Sequence, residues 1–439
     1  MILLTHPTGN ANVRHAALGL HRAGLLGEFW TGIHLSTPAW AQRLLPDRLC
    51  NFLQRRSFPK ELRHKIHTQP WREATRLLAK RLGLGPLTES AGGVCSLNAV
   101  SHALDRQVAR RLSEARFSGV YAYENGAEFA FRSARELNQL AIYERCSGHW
   151  RAARLMFEEE ASLQPEWAPI LTAPVDSASM NERSDTELGL ANVVIVPNTF
   201  IKRTLEQSAV MRARVAVVPH GVAEHGTPVP FSPRRRTGER LQVLFVGPFS
   251  QEKGLSYLFE ALRGLERAVE LTVIGRLPAR SCAVLDRHLA AVRHVQVSTK
   301  ADLARQMQRH DVLVCPSLFD ASSLELSMAL AVGLPVIATH HTAAPDLITD
   351  NVEGFVIPIR SSAAIAEHLL SLHREPDRLV EMSRACHRRG EECSWERYES
   401  TVATRVADAM ALSGHGTSAS FSQPVAAPQL PGVFPRNAT

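Results

Sequence analysis

Residues 311–339 read DVLVCPSLFDASSLELSMALAVGLPVIAT, and their reading decides the fold. Val312, Leu313, Val314 and Cys315 form the short apolar run expected of a parallel strand covered on both faces. Pro316 and Ser317 end it. Ser322 and Ser323 can cap a helix over residues 324–332. Gly333 supplies the stop, and residues 335–339 form the next buried strand. In such a unit the turn after the first strand lies at the carboxyl edge of the sheet, where helix amides face anionic or hydroxyl-rich ligands. Residues 318–324 are therefore expected to line a ligand cleft.

Working outward, the 439 residues are too many for one ordinary core and suggest two domains of about 200 residues each. The 45% hydrophobic and 21% charged content is that of a globular enzyme. Residues 1–6 carry no basic region, and the first cation is Arg14, so the start reads as a strand and not as a leader. No apolar run is long enough to span a membrane. Seven cysteines are scattered without a C-x-x-C pair, which favours a reducing cytoplasm over a disulfide scaffold or a zinc site. With no D-x-D triplet to hold a cation beside a diphosphate, the expectation is a mechanism without metal or cofactor.

The net charge of +7 is local. Residues 43–81 hold 11 Lys or Arg against 3 acids, Asp47, Glu61 and Glu73, interleaved with Leu44, Leu45, Leu49, Phe52, Leu53, Phe58 and Trp71. A basic amphipathic insertion of this kind, within residues 40–92, can lie on an anionic bilayer. It can equally be a helical excursion whose apolar side packs on its own domain. No aromatic platform accompanies the charge, so nucleic acid is not the expected partner.

Along the chain, residues 2–4 read as a strand and residues 6–12 as a glycine-containing turn. A helix follows with Ala16, Ala17, Leu20 and Ala23 on one face, stopped by Gly24. Residues 98–117 are helical in pattern. Strands at 120–122 and 141–143 deliver residues 123–126 and 144–150 to the carboxyl edge. Glu158, Glu159 and Glu160 read as a solvated face without chemistry. Residues 193–196 form a strand, Thr199 is placed as the cap of the next helix, and residues 215–218 form a last strand before a Pro/Gly/Arg-rich linker at 223–240. Residues 241–247 open the second domain. Lys253, a few residues beyond at a helix start, can meet a phosphate as a point charge, and Arg276 and Lys300 follow strand-like runs at the same edge. Residues 413–439 show no periodicity and are expected to lack fixed structure.

The central stretch resembles the pattern P-S-x-x-E-G-F-G-x4-E-A-M-A-x-G-x-P-V-I-A-T of the retaining glycosyltransferases of family 4. Pro316, Ser317, Ala329, Ala331, Gly333 and residues 335–339 match; Asp320 and Met328 stand where the family has glutamates. Residues 189–198, 215–222, 343–348, 351–358 and 394–398 are similar to further runs of that family in the same order. Gly247 and Lys253 fall on its G-R-L-x4-K-G run, with Pro248 in place of the arginine. The resemblance implies an α/β GT-B fold: two Rossmann-like domains across a cleft, at 1–222 and 241–393, with a helix at 394–412 crossing back to the first.

It also implies transfer of a sugar, with retention, from a nucleotide-diphosphate donor to a saccharide or lipid-linked acceptor in bacterial surface polysaccharide or glycolipid synthesis. His149 and Asp320 would be catalytic. Gly9, Gly247, Lys253, Arg276, Ser322, Ser323, Leu324 and Glu325 would hold the donor, Glu325 standing in for the carboxylate absent at Met328. The site would be metal-free, and the enzyme cytoplasmic on the inner face of the membrane. Pro248, Met328 and the pair Ala343–Ala344 keep a second reading open, a catalytically degenerate GT-B scaffold in polysaccharide assembly. An epimerase or hydrolase is a third.

Overall fold

The structure, a computed structural model, describes residues 1–35, 56–88, 93–171, 178–222, 239–321 and 323–414. The tail beyond 414, nearly all of the linker, the start of the basic insertion and Ser322 lie outside the described residues.

Two all-parallel sheets account for the two predicted domains. The first holds β1 (Ile2–Thr5), β2 (Leu26–Thr31), β3 (Ile66–Thr68), β4 (Gly119–Tyr123), β5 (Leu140–Glu144), β6 (Val193–Val196) and β7 (Arg214–Val217), in the order β3-β2-β1-β4-β5-β6-β7. The second holds β8 (Leu241–Val246), β9 (Val269–Ile274), β10 (Arg293–Val295), β11 (Val312–Cys315), β12 (Val336–Thr339) and β13 (Gly354–Ile357), in the order β10-β9-β8-β11-β12-β13. Strands β1, β4, β5, β11 and β12 are buried at every residue, which is why they read as unbroken apolar runs. Strand order reverses between β1 and β4 and between β8 and β11, and such switch points place ligands at the carboxyl edge.

The helix Trp395–Gly414 does cross back to the first domain. It packs on the helix Ala11–Arg22, and Glu399 binds His15 Nδ1 at 2.7 Å and Arg22 at 2.5 Å. The two backbones touch at Gly19, where an added Cβ would stand 2.4 Å from the Glu399 carbonyl oxygen. Gly19→Ala is therefore expected to lower unfolding free energy by about 1–3 kcal/mol, read as a fall in midpoint in thermal melts.

Four local expectations are corrected. Asn198, not Thr199, caps the helix Thr199–Glu206: its side chain accepts from Ile201 N at 2.8 Å. The Thr199 amide goes instead to Asp346 Oδ2 of the second domain, at 2.7 Å. Ser323 occupies the cap position of Leu324–Ala331 but is left-handed (φ 43°), and its hydroxyl accepts from Ala343 N. The basic insertion contributes an edge strand, β3, too short and polar (Ile-His-Thr) to show as an apolar run.

The fourth correction concerns Glu160, which is fully buried. Its carboxylate accepts from Gln251 Nε2 (2.7 Å), Tyr257 Oη (2.9 Å) and Arg360 Nε (2.8 Å), all on the second domain. A run of three acids hides this, because the burial comes from a partner domain. The contact ties the two lobes together.

Candidate functional site

The site is built on the turns that follow β8 and β11. After β8, Gly247 (φ 152°) lies alongside the stem of Lys253: a Cβ there would touch Lys253 Cε at an ordinary 3.6 Å, so the backbone angle and not crowding favours glycine. Residues Gln251–Lys253 form a 3₁₀ turn ended by Gly254 (φ 71°), where a Cβ would meet the Pro316 carbonyl oxygen at 2.0 Å. Glycine at 254 thus lets this turn lie directly on the end of β11. The contact is sealed by Leu318 N donating to Glu252 O at 2.8 Å.

Against that turn lies the Asp320 loop. Lys253 Nζ donates to Asp320 Oδ2 at 2.7 Å and to Glu325 Oε1 at 3.2 Å. Asp320 Oδ1 in turn accepts from Ser323 N at 3.2 Å. The two carboxylates hold the ammonium above its usual lysine range in spite of burial. Burial pushes the Glu325 carboxyl up, with Asp320 beside it adding to the shift. Glu252 is pushed up to about 7, first by burial and then by Asp320, against the opposing pull of Lys253.

The cluster stands at the domain boundary. Phe319 packs edge-on against Phe200 (4.9 Å) and Phe157 (6.0 Å) of the first domain, and a Cβ on Gly148 would come within 2.3 Å of its ring. Asn198 Nδ2 donates to Ala321 O at 2.9 Å. Asp320 therefore sits between two residues that touch the opposite lobe.

Other sequence candidates are placed as follows. His149 is the N-cap of Trp150–Leu163, next to the Phe319 contact, with both ring nitrogens engaged. Nδ1 accepts from Arg151 N at 3.3 Å, which leaves Nε2 to donate to Asp185 Oδ1 at 3.1 Å. Burial, with Arg145 nearby, lowers its pKa to about 4, so the ring is neutral at pH 7. Gly9 (φ 64°) lies in the turn after β1, where its amide donates to His6 Nδ1 at 2.9 Å and the Phe58 ring covers it. Arg276 is exposed just beyond β9, and its carbonyl accepts from Phe249 N at 3.0 Å. Leu324 is partly exposed at the helix start, while Met328 packs into an apolar cluster with Leu326 and Leu330. Glu325 reaches Lys253, so the two residues chosen separately from the sequence act on each other. A cavity of about 220 Å³ lined by Met307, Asp311, Gly333 and Pro335 opens at the amino edge of the second sheet, opposite to this cluster.

These features define a two-domain GT-B fold, with its charged cluster where the second domain's sheet faces the first. Its overall shape follows that of sucrose-phosphate synthase from Thermosynechococcus elongatus, at a TM-score of 0.61 and 16% identity over 94% of this chain and 99% of that one. Anabaena HepE in complex with UDP superposes with a TM-score of 0.56 at 14% identity, over 94% and 99%. Residues 240–375, nearly the whole second domain, match the family model "Glycosyl transferases group 1". Within the curated proteins, 145 residues are 33% identical to the amylovoran biosynthesis glycosyltransferase AmsK of Erwinia amylovora, 30% of this chain and 36% of that one. A further 140-residue match, 30% identical, is to a phosphatidyl-myo-inositol mannosyltransferase of Mycobacterium leprae, 30% and 37% of the two chains. The matches thus span little more than a third of those relatives' lengths.

Proposed function

We propose that the protein is a glycosyltransferase that moves a sugar, with retention, from a nucleotide-diphosphate donor to a saccharide or lipid-linked acceptor in surface polysaccharide or glycolipid synthesis. One observation carries this reading: the half-buried ammonium of Lys253, held at the domain boundary beside the carboxyl ends of β8 and β11. A diphosphate brought to that edge exchanges one anionic partner of Lys253 for another, and the ammonium then stabilises charge building on the departing diphosphate. Released from Lys253, Asp320 is positioned to accept from sugar hydroxyls. Donor and acceptor are clasped by lobe closure, with His149 at the facing edge; this orients them and excludes water. Catalysis in this scheme is electrostatic and uses no metal. The matched relatives, named for amylovoran synthesis and for mannosyl transfer to phosphatidylinositol, support the same class.

Calorimetry against a panel of UDP-, GDP- and ADP-sugars tests the proposal, followed by product analysis with the donor that binds. Micromolar binding and transfer with retained anomeric configuration are expected. A folded protein that binds none of them would instead be the scaffold, a reading favoured by Pro248 and by Met328, which packs half-buried against the apolar cluster of Leu326 and Leu330.

The pH dependence follows from Glu252. Below about 7 its carboxyl is neutral; above, a second negative charge beside Lys253 and Asp320 opposes an incoming diphosphate. Affinity for UDP-glucose, whose diphosphate diester keeps its charge in this range, should strengthen up to about 10-fold from pH 8 to 6. In Glu252→Gln the slope should vanish, and a retained slope would remove Glu252 as its source.

For the partner surface, we infer contact with an anionic membrane through the described part of the insertion. On the helix Pro70–Arg81 and just past it, Trp71, Leu78 and Leu82 are 80%, 56% and 63% exposed, among the exposed cations Arg72, Lys80 and Arg81. Their spacing of seven and four puts the three apolar side chains on one helical face. Among the described residues no helix is long and apolar enough to cross a membrane. Flotation with phosphatidylglycerol vesicles should carry the protein, neutral vesicles should not, and Trp71→Glu should reduce the bound fraction. Equal behaviour with both vesicle types would end this reading.

A further inference from the structure

A second cluster lies on the first domain, apart from Lys253, and the transferase scheme does not use it. Glu144 ends β5, Cys146 follows two residues on, and His220 lies three residues beyond β7, so that all three meet at the carboxyl edge of the first sheet. One ligand atom from each falls within 4.8 Å of the others. His220 Nε2 stands 3.5 Å from Glu144 Oε1 and 3.8 Å from Cys146 Sγ.

We propose that Glu144, Cys146 and His220 form a binding site for a single zinc ion.

The spacing argues for it. Bonds of about 2.3 Å to sulfur and about 2.0–2.2 Å to nitrogen or oxygen set tetrahedral ligand atoms roughly 3.3–3.6 Å apart. The two measured edges at His220 need shifts of only a few tenths of an ångström to match. The donor set of thiolate, imidazole and carboxylate suits zinc and not magnesium or calcium, which take oxygen ligands. Three protein ligands leave a fourth position for water.

The same geometry excludes a nucleophilic triad. In a relay of thiol, imidazole and acid, the acid must hold the ring nitrogen opposite the one facing the nucleophile. Here Glu144 and Cys146 both converge on Nε2. Two groups aimed at one nitrogen are the arrangement of ligands around a shared centre.

The surroundings are those of an oriented metal site. Asn12 Nδ2 lies 2.8 Å from Glu144 Oε1 and 3.7 Å from Cys146 Sγ, a donor directed at both groups. Tyr121 Oη (2.7 Å) and Tyr398 Oη (3.0 Å) donate to Glu144 and fix the carboxylate plane. Such outer partners hold ligands in place and typically change metal affinity by about 10–100-fold when removed. The Tyr398 contact and the edge-on packing of His220 on its ring (5.6 Å) join the site to the crossing helix. Two residues after His220, Val222 N donates to Cys393 O at 3.1 Å, where the chain enters and leaves the second domain. Zinc here would fasten the first-domain side of the junction between the two lobes.

Chelator-treated full-length protein, titrated with zinc chloride against a chromophoric chelator, should take up one equivalent. Titration with cobalt chloride should raise a thiolate-to-cobalt charge-transfer band. Cys146→Ser should abolish that band; it and His220→Ala should each weaken zinc by more than about 100-fold, and Asn12→Ala should cost about 10–100-fold. Cys95→Ser should leave both readings unchanged. The wild-type cobalt spectrum reports thiolate ligation whether or not the variants fold. Folded wild-type protein that takes up neither metal, or binding insensitive to Cys146→Ser, overturns the site.

Discussion

Lys253→Ala is expected to lower kcat/KM for sugar transfer by about 10²–10³-fold, the loss seen when one preorganised donor to a developing oxyanion is removed. The loss should fall on donor binding as well as on turnover, because the ammonium faces the diphosphate in both states. The variant should stay folded. Removing the ammonium leaves Asp320 and Glu325 without their cation, but Glu325 is already pushed towards its neutral form by burial and can take up a proton. Lys253→Arg should restore little, since the ammonium already fills the space between Asp320 (2.7 Å) and Glu325 (3.2 Å) and a guanidinium needs more room. Donor calorimetry with a thermal melt on the same samples separates the outcomes. Wild-type affinity and turnover in a folded Lys253→Ala protein would withdraw the site.

The largest stability effect is expected at Arg183. Its guanidinium lies among Asp105, Glu128 and Glu187, with Asp105 and Glu187 fully buried. Asp105 also accepts from Phe129 N (2.9 Å) and Ala130 N (2.8 Å) at the start of the helix Glu128–Glu136, and Glu187 accepts from Ala127 N and Tyr143 Oη. One side chain therefore holds the turn that follows β4. Arg183→Met removes the cation and keeps its bulk, leaving two buried carboxyls uncompensated at a cost of about 3–5 kcal/mol. Burial already raises the pKa of both above their ordinary values. A carboxyl whose folded pKa exceeds its unfolded one binds protons more tightly when folded, so acid favours the native state. The deficit of Arg183→Met should thus narrow as pH falls from 8 towards 5, the opposite of ordinary acid destabilisation. Denaturant melts at the two pH values measure this, and a deficit below about 1 kcal/mol at pH 8 would show that the network is not held by Arg183.

What could be read from the sequence, and what could not, divides along a physical line. The unit β11, Leu324–Ala331, β12 was legible because strands covered on both faces must be apolar throughout, and Gly333 ends the helix in the left-handed conformation glycine allows (φ 73°). Lys253 and Glu325 were each legible as polar residues at a strand's carboxyl end. That they pair was not, because 72 residues separate them. Glu160 was misread for the same reason: Arg360 lies 200 residues away, and nothing local distinguishes Glu160 from exposed Glu158. The convergence of Cys146 and His220 spans 74 residues and has no spacing signature. Asn198 was within reach, since an asparagine just before the helix is as good a cap as the threonine after it.

The helix Trp395–Gly414 has a further consequence for synthesis. The surface of Ala11–Arg22 that it covers belongs to the first domain, yet its cover is translated nearly four hundred residues later. A nascent chain must carry that face uncovered while the whole second domain is made, a period when exposed apolar surface invites association. Completion of the first lobe is thereby coupled to arrival of this helix at the ribosome exit, and a chain stopped short of it would be left with two lobes and a persistent sticky face.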